Sequence, residues 1–250
     1  MMLETKNLIK DFDGLRAVDG VSLTVPQGTI IGLIGPNGSG KSTLLSMIAR
    51  TIDVTSGQIL YRGHDLTHHS ADEAFQMGLA RGYQDPSLFF QMTVLDNTLL
   101  PIKAQRGEHP WYAPWRRFWK RQEQTNADVA HSTLGRVNLQ KHFSKPASDL
   151  SGGQMKLLEI TRVLMGEPHL LLLDEPTAGV APSLAYEIFQ QIDTLRRENG
   201  LTFLIVEHRL EILFDFVDSV YVMHMGKVLA HGTPDEIAAN AEVREVYFGD

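Results

Sequence analysis

A glycine-rich segment early in the chain has the composition of a phosphate-binding loop. It matches the pattern G-x-x-x-x-G-K-[ST] in full and ends with Lys41 and Ser42. Glycines let backbone N–H groups converge on phosphate oxygens, and a following helix presents its positive N-terminal end to the same anion. A lysine neutralises phosphate charge, and a serine hydroxyl is a ligand for Mg²⁺. The predicted nucleotide-binding residues of this segment are Gly35, Pro36, Asn37, Gly38, Ser39, Gly40, Lys41, Ser42 and Thr43.

A second group of residues that could take part in catalysis lies at the end of an apolar run. Four leucines, residues 170–173, are followed by Asp174 and Glu175. A buried strand that ends in carboxylates is costly unless the charge meets a cation. We therefore interpret Asp174 as a partner of Mg²⁺ and Glu175 as the residue that activates or positions water for phosphate hydrolysis. The alternative is a surface Asp-Glu pair at a strand end, which the phosphate-binding pattern disfavours.

Residues 150–154 read Leu-Ser-Gly-Gly-Gln and precede a helix-forming run. Ser151 and Gln154 fit a capping box, in which each side chain accepts a backbone N–H of the other residue. The box does not explain Gly152 and Gly153, because glycine destabilises the start of a helix. Close approach of the backbone to a phosphate group explains the glycines better.

The elements that must position these motifs alternate between strand and helix. We predict strands over 29–34, 170–173 and 201–206, helices over 41–50, 155–165 and 183–198, a hairpin formed by 218–223 and 227–230, and a capped helix that begins after Thr233. This alternation predicts a layered α/β fold. Residues 86–150 break it with few β-rich runs and a helix-like stretch over 117–136, so we interpret them as a helical lobe inserted into the α/β core.

The composition is that of an ordinary globular protein. Of 250 residues, 43% are hydrophobic and 21% are charged, which excludes intrinsic disorder. No apolar run approaches the ~18–20 residues that a membrane-spanning helix needs. The absence of cysteine excludes disulfides and thiolate metal sites, and the net charge of −7 argues against nucleic-acid binding over the whole surface. We expect a soluble intracellular protein, since charges near the start of the chain do not fit a signal peptide.

Together these motifs resemble those of the ATP-binding cassette (ABC) ATPases, whose signature sequence is LSGGQ. The resemblance extends over nearly the whole chain. It implies an α/β fold with a P-loop NTPase (RecA-like) core, an antiparallel β subdomain and an inserted helical subdomain. On this basis the chain is expected to be one ABC ATPase domain, 1–250. Its core would comprise 1–85 and 153–250, and its helical subdomain 86–152 would carry the start of the signature region.

The resemblance also implies roles for single residues. Phe12 matches an aromatic residue that stacks on adenine, and Gln84 matches a glutamine that contacts Mg²⁺ and senses the transmembrane partner. His208 matches a histidine that contacts the γ-phosphate. The alternatives are a core aromatic for Phe12, a solvated loop residue for Gln84 and a helix cap for His208. The resemblance implies that the catalytic residues are Glu175, His208 and Gln84. It implies that Mg²⁺ is bound by Ser42, Gln84 and Asp174. The residues that would bind the ATP of a partner cassette are Ser151, Gly152, Gly153 and Gln154.

Within the family, the chain looks most like the ATP-binding subunits of branched-chain amino acid importers. This likeness rests on 92–97, 178–182, 207–211 and 243–249. It implies ATP and Mg²⁺ as cofactors and a peripheral position on the cytoplasmic face of the membrane. The implied partners are an identical or paralogous cassette in a head-to-tail dimer, transmembrane permease subunits and an external solute-binding protein, with no nucleic acid. The alternatives are an exporter ATPase of the lipopolysaccharide type and a soluble, non-transport ABC ATPase.

Two features fit this picture less directly. Ala181 stands where the family usually has an aspartate that reaches across the dimer. In addition, all three tryptophans fall within 111–119, and the stretch 101–121 has six basic residues against one acidic residue. Aromatic rings mixed with cations suit a membrane interface or single-stranded nucleic acid. The simplest interpretation, that the rings pack the helical lobe and the charges are solvated, is the one we favour from sequence.

Overall fold

In the computed structural model, residues 1–82, 88–108, 110–111 and 113–248 are described. The strands are β1 (Leu3–Phe12), β2 (Leu15–Val25), β3 (Ile30–Ile34), β4 (Ser56–Tyr61), β5 (His64–Asp65), β6 (Leu79–Gly82), β7 (Leu170–Asp174), β8 (Thr202–Val206), β9 (Ser219–His224) and β10 (Lys227–Gly232). The α-helices are α1 (Lys41–Ile48), α2 (Ala71–Gln76), α3 (Val94–Leu99), α4 (Lys120–Arg136), α5 (Gly152–Leu164), α6 (Pro182–Asn199), α7 (Leu210–Leu213), α8 (Pro234–Ala239) and α9 (Ala241–Phe248). None of these described helices is long and apolar enough to span a membrane.

The chain divides into two units by its internal contacts. The first comprises Met1–Gln84 and His169–Asp250, and the second is Asp85–Pro168. The second unit therefore extends beyond the helical subdomain expected from sequence, which ended at residue 152. The difference arises because α5 buries Leu158 in the apolar cluster of the second unit, together with residues of α3 and α4.

A mainly parallel sheet forms the centre of the first unit. Its strand order is β10-β9-β3-β8-β7-β6, and each neighbouring pair is parallel except β9 and β10. The strands β3, β7 and β8 are buried along their whole length, as their uninterrupted apolar sequences predict. Because parallel strands end at the same edge of a sheet, the segments that follow β3, β7 and β8 meet there.

A smaller antiparallel sheet, β2-β1-β4-β5, shares a hydrophobic core with the parallel sheet. Leu3 and Leu8 from β1 lie in the same buried cluster as Leu33 from β3 and Leu172 from β7. The predicted hairpin β9-β10 is also present. Its two-residue turn, Met225 and Gly226, has positive φ at both positions (45° and 80°), the geometry of a type I′ turn. The predicted α/β fold with an antiparallel subdomain is therefore confirmed.

The second unit is helical, as predicted. Val94 of α3, Leu134 of α4 and Leu158 of α5 form its buried cluster with neighbouring apolar residues. The predicted helix over 117–136 begins later, at Lys120, because the preceding residues form a 3₁₀ turn. In that turn the N–H groups of Phe118 and Trp119 donate to carbonyls three residues earlier rather than four.

Candidate functional site

The phosphate-binding pattern forms a loop between β3 and α1. Gly40 is the N-cap of α1 and has φ of 101°, in the left-handed region that favours glycine. A Cβ at this position would overlap the carbonyl oxygen of Ala17, so only glycine fits. The loop is also tied to the β9-β10 turn, because the N–H of Gly226 donates to the carbonyl of Ser39 at 3.0 Å. These constraints leave the N-terminal end of α1 at the carboxyl edge of the sheet.

The side chain of Lys41 folds back over this loop. Its Nζ donates to the carbonyls of Gly35 at 2.8 Å and Pro36 at 3.0 Å, and the residue is 6% exposed. Burial lowers the pKa of the Lys41 ammonium below its usual value, and the negative charges of Glu175 and Asp174 oppose that effect. The two carbonyls hold the ammonium against the loop.

Asp174, at the end of β7, contacts both Ser42 of α1 and Arg81, a residue that the sequence analysis did not single out. Ser42 Oγ donates to Asp174 Oδ1 at 3.3 Å, so the two predicted metal ligands are adjacent. Arg81 of β6 forms a salt bridge with the other carboxylate oxygen, Nη2 to Oδ2, at 3.1 Å. The sequence signal for Arg81 was weak, because a single arginine in a short strand has no partner until the strand order is known. The order places β6 beside β7.

Glu175 and His208 meet at the same edge. Glu175 has φ of 50°, unusual for a residue with a side chain, and its N–H donates to the carbonyl of Val206 at the end of β8. His208 follows β8 by two residues, and its Nε2 lies 3.0 Å from Glu175 Oε1. Strained backbone of this kind persists where the surrounding structure holds it, and it often accompanies function. The structure thus brings together two residues that are 33 positions apart in the sequence.

A cavity of about 520 Å³ joins these groups. The loop and α1 contribute Asn37, Gly38, Gly40, Lys41, Ser42 and Thr43, the strand ends contribute Glu175 and His208, β2 contributes Leu15, Arg16 and Ala17, and the hairpin turn contributes Met225 and Gly226. Its size suits a small ligand, and its backbone N–H groups and lysine suit a phosphorylated one. Asp174 contacts Ser42 but is not among the lining residues.

Phe12 is not among the residues that line this cavity. It pairs with Leu15 across the β1-β2 turn, is 43% exposed, and has Lys10 Nζ 4.9 Å from its ring centroid. It is therefore not the core aromatic of the alternative interpretation. The lining residues nearest in sequence are Leu15 and Arg16, which the sequence analysis did not single out. The predicted Gln84 lies outside the described residues.

The signature segment begins α5 in the second unit. Ser151 is the N-cap, its N–H donates to Gln154 Oε1 at 3.0 Å, and the N–H of Gln154 donates to Ser151 Oγ at 3.4 Å, so the predicted capping box is present. Gly152 is exposed, and a Cβ there would meet no atom of the described residues within 4 Å. Nothing within the described chain therefore requires glycine at this position.

Comparison with known proteins places these features in a family. Residues 18–178 match the ABC transporter family, and residues 227–250 match a family described as branched-chain amino acid ATP-binding cassette transporter. A probable branched-chain amino acid transport ATP-binding protein, LivG, of Methanocaldococcus jannaschii is 38% identical over 100% of this chain and 98% of its own length. A high-affinity branched-chain amino acid transport ATP-binding protein of Escherichia coli is 34% identical, with the same coverage.

Solved structures of ATP-binding cassettes from ABC transporters are also similar to this chain. A nucleotide-free ATP-binding cassette from an ABC transporter superposes with a TM-score of 0.87 and 37% identity, over 100% of this chain and 99% of the other. The ADP conformation of an ATP-binding cassette of an ABC transporter gives the same TM-score at 38% identity, over 100% and 99%. The second structure shows nucleotide binding by a cassette of this fold. The chain therefore belongs to the ABC transporter family, whose ATP-binding subunits are ATPases coupled to transport.

Proposed function

We propose that this chain binds and hydrolyses ATP as one subunit of an importer for branched-chain amino acids. The observation that carries the ATPase role is the Glu175–His208 pair, 3.0 Å apart, which lines the same cavity as the phosphate-binding loop. The solute class follows from the full-length relatives, which are named for branched-chain amino acid transport. The match of residues 227–250 to a branched-chain amino acid family supports the same class.

Phosphate binding would use the loop and its lysine. The loop N–H groups and the N-terminal end of α1 attract anions, and the glycines leave space for close approach. In the structure, Lys41 donates to two loop carbonyls, at Gly35 and Pro36. A bound β/γ-phosphate offers Lys41 full negative charges in place of these neutral acceptors, so the ammonium would exchange them for phosphate oxygens. Phe12 remains the proposed contact for adenine, although it does not line the cavity.

Mg²⁺ fits the arrangement at the end of β7. A serine hydroxyl and a carboxylate, the oxygen donors that Mg²⁺ prefers, lie adjacent at Ser42 and Asp174. We propose these two residues as its protein ligands, with Gln84 as a third that lies outside the described residues. A bound Mg²⁺ would neutralise charge on the β- and γ-phosphates.

Hydrolysis would depend on Glu175. His208 Nε2 lies 3.0 Å from Oε1 and orients the carboxylate, which would accept a proton from an attacking water. The water oxygen forms a bond to the γ-phosphorus as the bond from phosphorus to the bridging oxygen breaks, and the β-phosphate of ADP takes the electron pair of that bond. His208 would also donate a hydrogen bond to the γ-phosphate, where negative charge accumulates.

A second cassette would complete the site. Gly152 is exposed, and no described residue of its own chain requires glycine there, although glycine weakens a helix start. This is explained if the backbone of Gly152 and Gly153, with Ser151 and Gln154, approaches the γ-phosphate held by another cassette. Two cassettes, identical or paralogous, would then bind ATP between them in a head-to-tail dimer and separate after hydrolysis.

The remaining partners follow from the transport role. We propose that the dimer binds transmembrane permease subunits at the cytoplasmic face of the membrane, and that an external protein delivers the solute to them. The exporter and soluble alternatives are disfavoured because the full-length relatives reported above are named for branched-chain amino acid transport. Binding to nucleic acid is not proposed, in keeping with the net charge of −7.

The test is transport by the intact complex. The tagged chain, purified from membranes of cells that produce it, should co-purify with a polytopic membrane protein. Proteoliposomes that contain this complex and its solute-binding protein should take up leucine, isoleucine or valine only when ATP is supplied, and the complex with Glu175→Gln should not. Co-purification with ribosomes or DNA would instead indicate a soluble ABC ATPase, and ATP-driven uptake by the Glu175→Gln complex would overturn the catalytic assignment.

A further inference from the structure

The second unit carries an exposed surface that the ATPase role does not use, formed by residues 111 and 113–121 and called here the aromatic-basic segment. Three of its rings are well exposed: Trp111 at 80%, Trp115 at 58% and Phe118 at 43%. Trp119 is partly buried, and its indole N–H donates to the carbonyl of Ala113 at 3.1 Å. The interpretation favoured from sequence, that the rings pack the helical lobe, is therefore wrong for Trp111 and Trp115.

The cations of the segment are exposed, and one of them contacts two of the rings. Arg116, Arg117, Lys120 and Arg121 are all exposed. The guanidinium of Arg117 is 4.8 Å from the ring centroid of Phe118 and 6.0 Å from that of Trp115, so cation and rings are in contact distance of one another. Four positive charges are thus interleaved with exposed aromatic side chains in one short stretch.

The charge of this region is opposite to that of the rest of the chain. Residues 101–121 have six basic residues and one acidic residue, whereas the whole chain has a net charge of −7. A positive region on a negative protein is attracted to an anionic surface only where that region faces it. Exposed apolar surface of this kind commonly marks an interaction site.

We propose that the aromatic-basic segment binds the headgroup region of a bilayer that contains anionic lipid. Tryptophan rings are enriched at headgroup depth, and arginine and lysine side chains meet anionic phosphates at the same level. Single-stranded nucleic acid is instead bound along a positive groove that follows its backbone, and the positive charge here is confined to one short stretch. The proposal rests on the proposed function in one respect, namely that the chain works beside a membrane.

The expected binding has two components. Each basic residue near an anionic surface contributes about fivefold in affinity at moderate salt, so four together contribute up to several hundredfold. This part weakens as salt increases, because the Debye length shortens to about 3 Å at 1 M. The rings at Trp111 and Trp115 contribute apolar burial, which salt does not screen.

The experiment measures co-sedimentation of the purified full-length chain with vesicles. One set of vesicles is pure phosphatidylcholine and the other contains 30% phosphatidylglycerol, each at low and high salt. The charge variant carries Arg116→Gln, Arg117→Gln, Lys120→Gln and Arg121→Gln. Its matched control removes four exposed basic residues elsewhere, with Lys6→Gln, Arg62→Gln, Lys141→Gln and Lys145→Gln. A ring variant carries Trp111→Ala and Trp115→Ala, and nucleotide affinity confirms that each protein is folded.

We expect the wild type and the matched control to bind acidic vesicles alike, the charge variant to bind at least tenfold more weakly, and the ring variant to lose affinity at both salt concentrations. The proposal is overturned if the wild type does not sediment with acidic vesicles, if the charge variant binds as well as the wild type, or if the matched control loses as much. A segment that docks on a permease instead would give the first of these results. Vesicle binding needs neither ATP hydrolysis nor a permease, so its failure is distinguishable from failure of the proposed transport role.

Discussion

The guanidinium of Arg81 holds one oxygen of the Asp174 carboxylate while Ser42 holds the other. The distances are 3.1 Å from Nη2 to Oδ2 and 3.3 Å from Oγ to Oδ1. Nη1 of Arg81 also donates to Ser46 Oγ on α1, at 2.7 Å. The arginine therefore connects the end of β7 to the helix that follows the phosphate-binding loop. Its cation also balances the charge of a carboxylate that is proposed to ligate Mg²⁺.

Loss of Arg81 should destabilise the fold and increase its dependence on Mg²⁺. The two side chains are 10% and 7% exposed, so Arg81→Met leaves a buried carboxylate without its cation, which typically costs about 3–5 kcal/mol. A divalent ion at Asp174 would replace part of that charge. We expect Arg81→Met to lower the free energy of unfolding in urea, and Mg²⁺ added with ADP to raise its Tm more than it raises that of the wild type.

The control for this experiment is Arg62→Met. Arg62 is exposed, and its replacement should change the free energy of unfolding by no more than about 0.5 kcal/mol. Equal stability of Arg81→Met and the wild type would show that the salt bridge does not stabilise the protein. An equal rise in Tm for Arg81→Met and the wild type when Mg²⁺ is added with ADP would show that Arg81 does not affect the metal site.

Lys41→Ala should weaken binding of MgATP strongly. Its ammonium already lies at the loop, held by the carbonyls of Gly35 and Pro36, and no other side chain of the loop carries a positive charge. Hydrogen bonds to charged groups contribute about 1.5–3 kcal/mol each, so the loss should be at least tenfold in affinity. Calorimetric titration with MgATP measures it, and the exposed Lys6→Ala is the control. If Lys41→Ala binds MgATP with near-normal affinity, Lys41 does not contribute to phosphate binding.

Glu175→Gln should keep ATP binding and lose turnover. The glutamine preserves the shape of the side chain next to His208 but cannot accept a proton from water, a contribution of about 10²–10⁴-fold. The substitution also removes a negative charge beside the position proposed for the γ-phosphate, so ATP-bound dimers should accumulate. Steady-state phosphate release and size-exclusion chromatography with ATP measure the two effects, and Glu187→Gln on the exposed face of α6 should change neither. Turnover at the wild-type rate would assign water activation to another group.

Ala181→Asp should stabilise the protein. Ala181 is the N-cap of α6, with extended φ and ψ of −63° and 150°, and it makes no side-chain capping bond. An aspartate there accepts an N–H of the first turn and favours the helix dipole, together worth about 0.5–2 kcal/mol. A rise in Tm measured by calorimetry, absent in Ala181→Val, is the expected result. If Tm is unchanged, the first turn of α6 already has its N–H groups satisfied in another way.

The features that could be predicted from sequence are those that depend on neighbours in the chain. The capping boxes at Ser151 and Thr233 join residues three positions apart, and both are present. The strands β3, β7 and β8 follow from apolar runs, and the hairpin of β9 and β10 follows from two strand-like runs separated by a short segment that contains Gly226. Local geometry and burial of apolar side chains determine such features, so the sequence shows them directly.

Other features depend on which strands lie side by side. Arg81 reaches Asp174 only because β6 lies next to β7, and the two residues are 93 positions apart in the sequence. Leu15 and Arg16, rather than Phe12, line the cavity because the β1-β2 turn places them there. The end of the helical unit at residue 168 likewise depends on where α5 buries its apolar face.

The sequence by itself determined the type of chemistry, since a phosphate-binding loop, a carboxylate pair and a glycine-containing helix start each require particular residues at fixed spacing. The tertiary structure alone decided which groups meet. It paired Glu175 with His208 and balanced Asp174 with Arg81, and it left Trp111 and Trp115 exposed. The physical reason is that contacts between distant residues depend on strand order and on competition for a limited buried volume, and neither can be read from the spacing of residues within one segment.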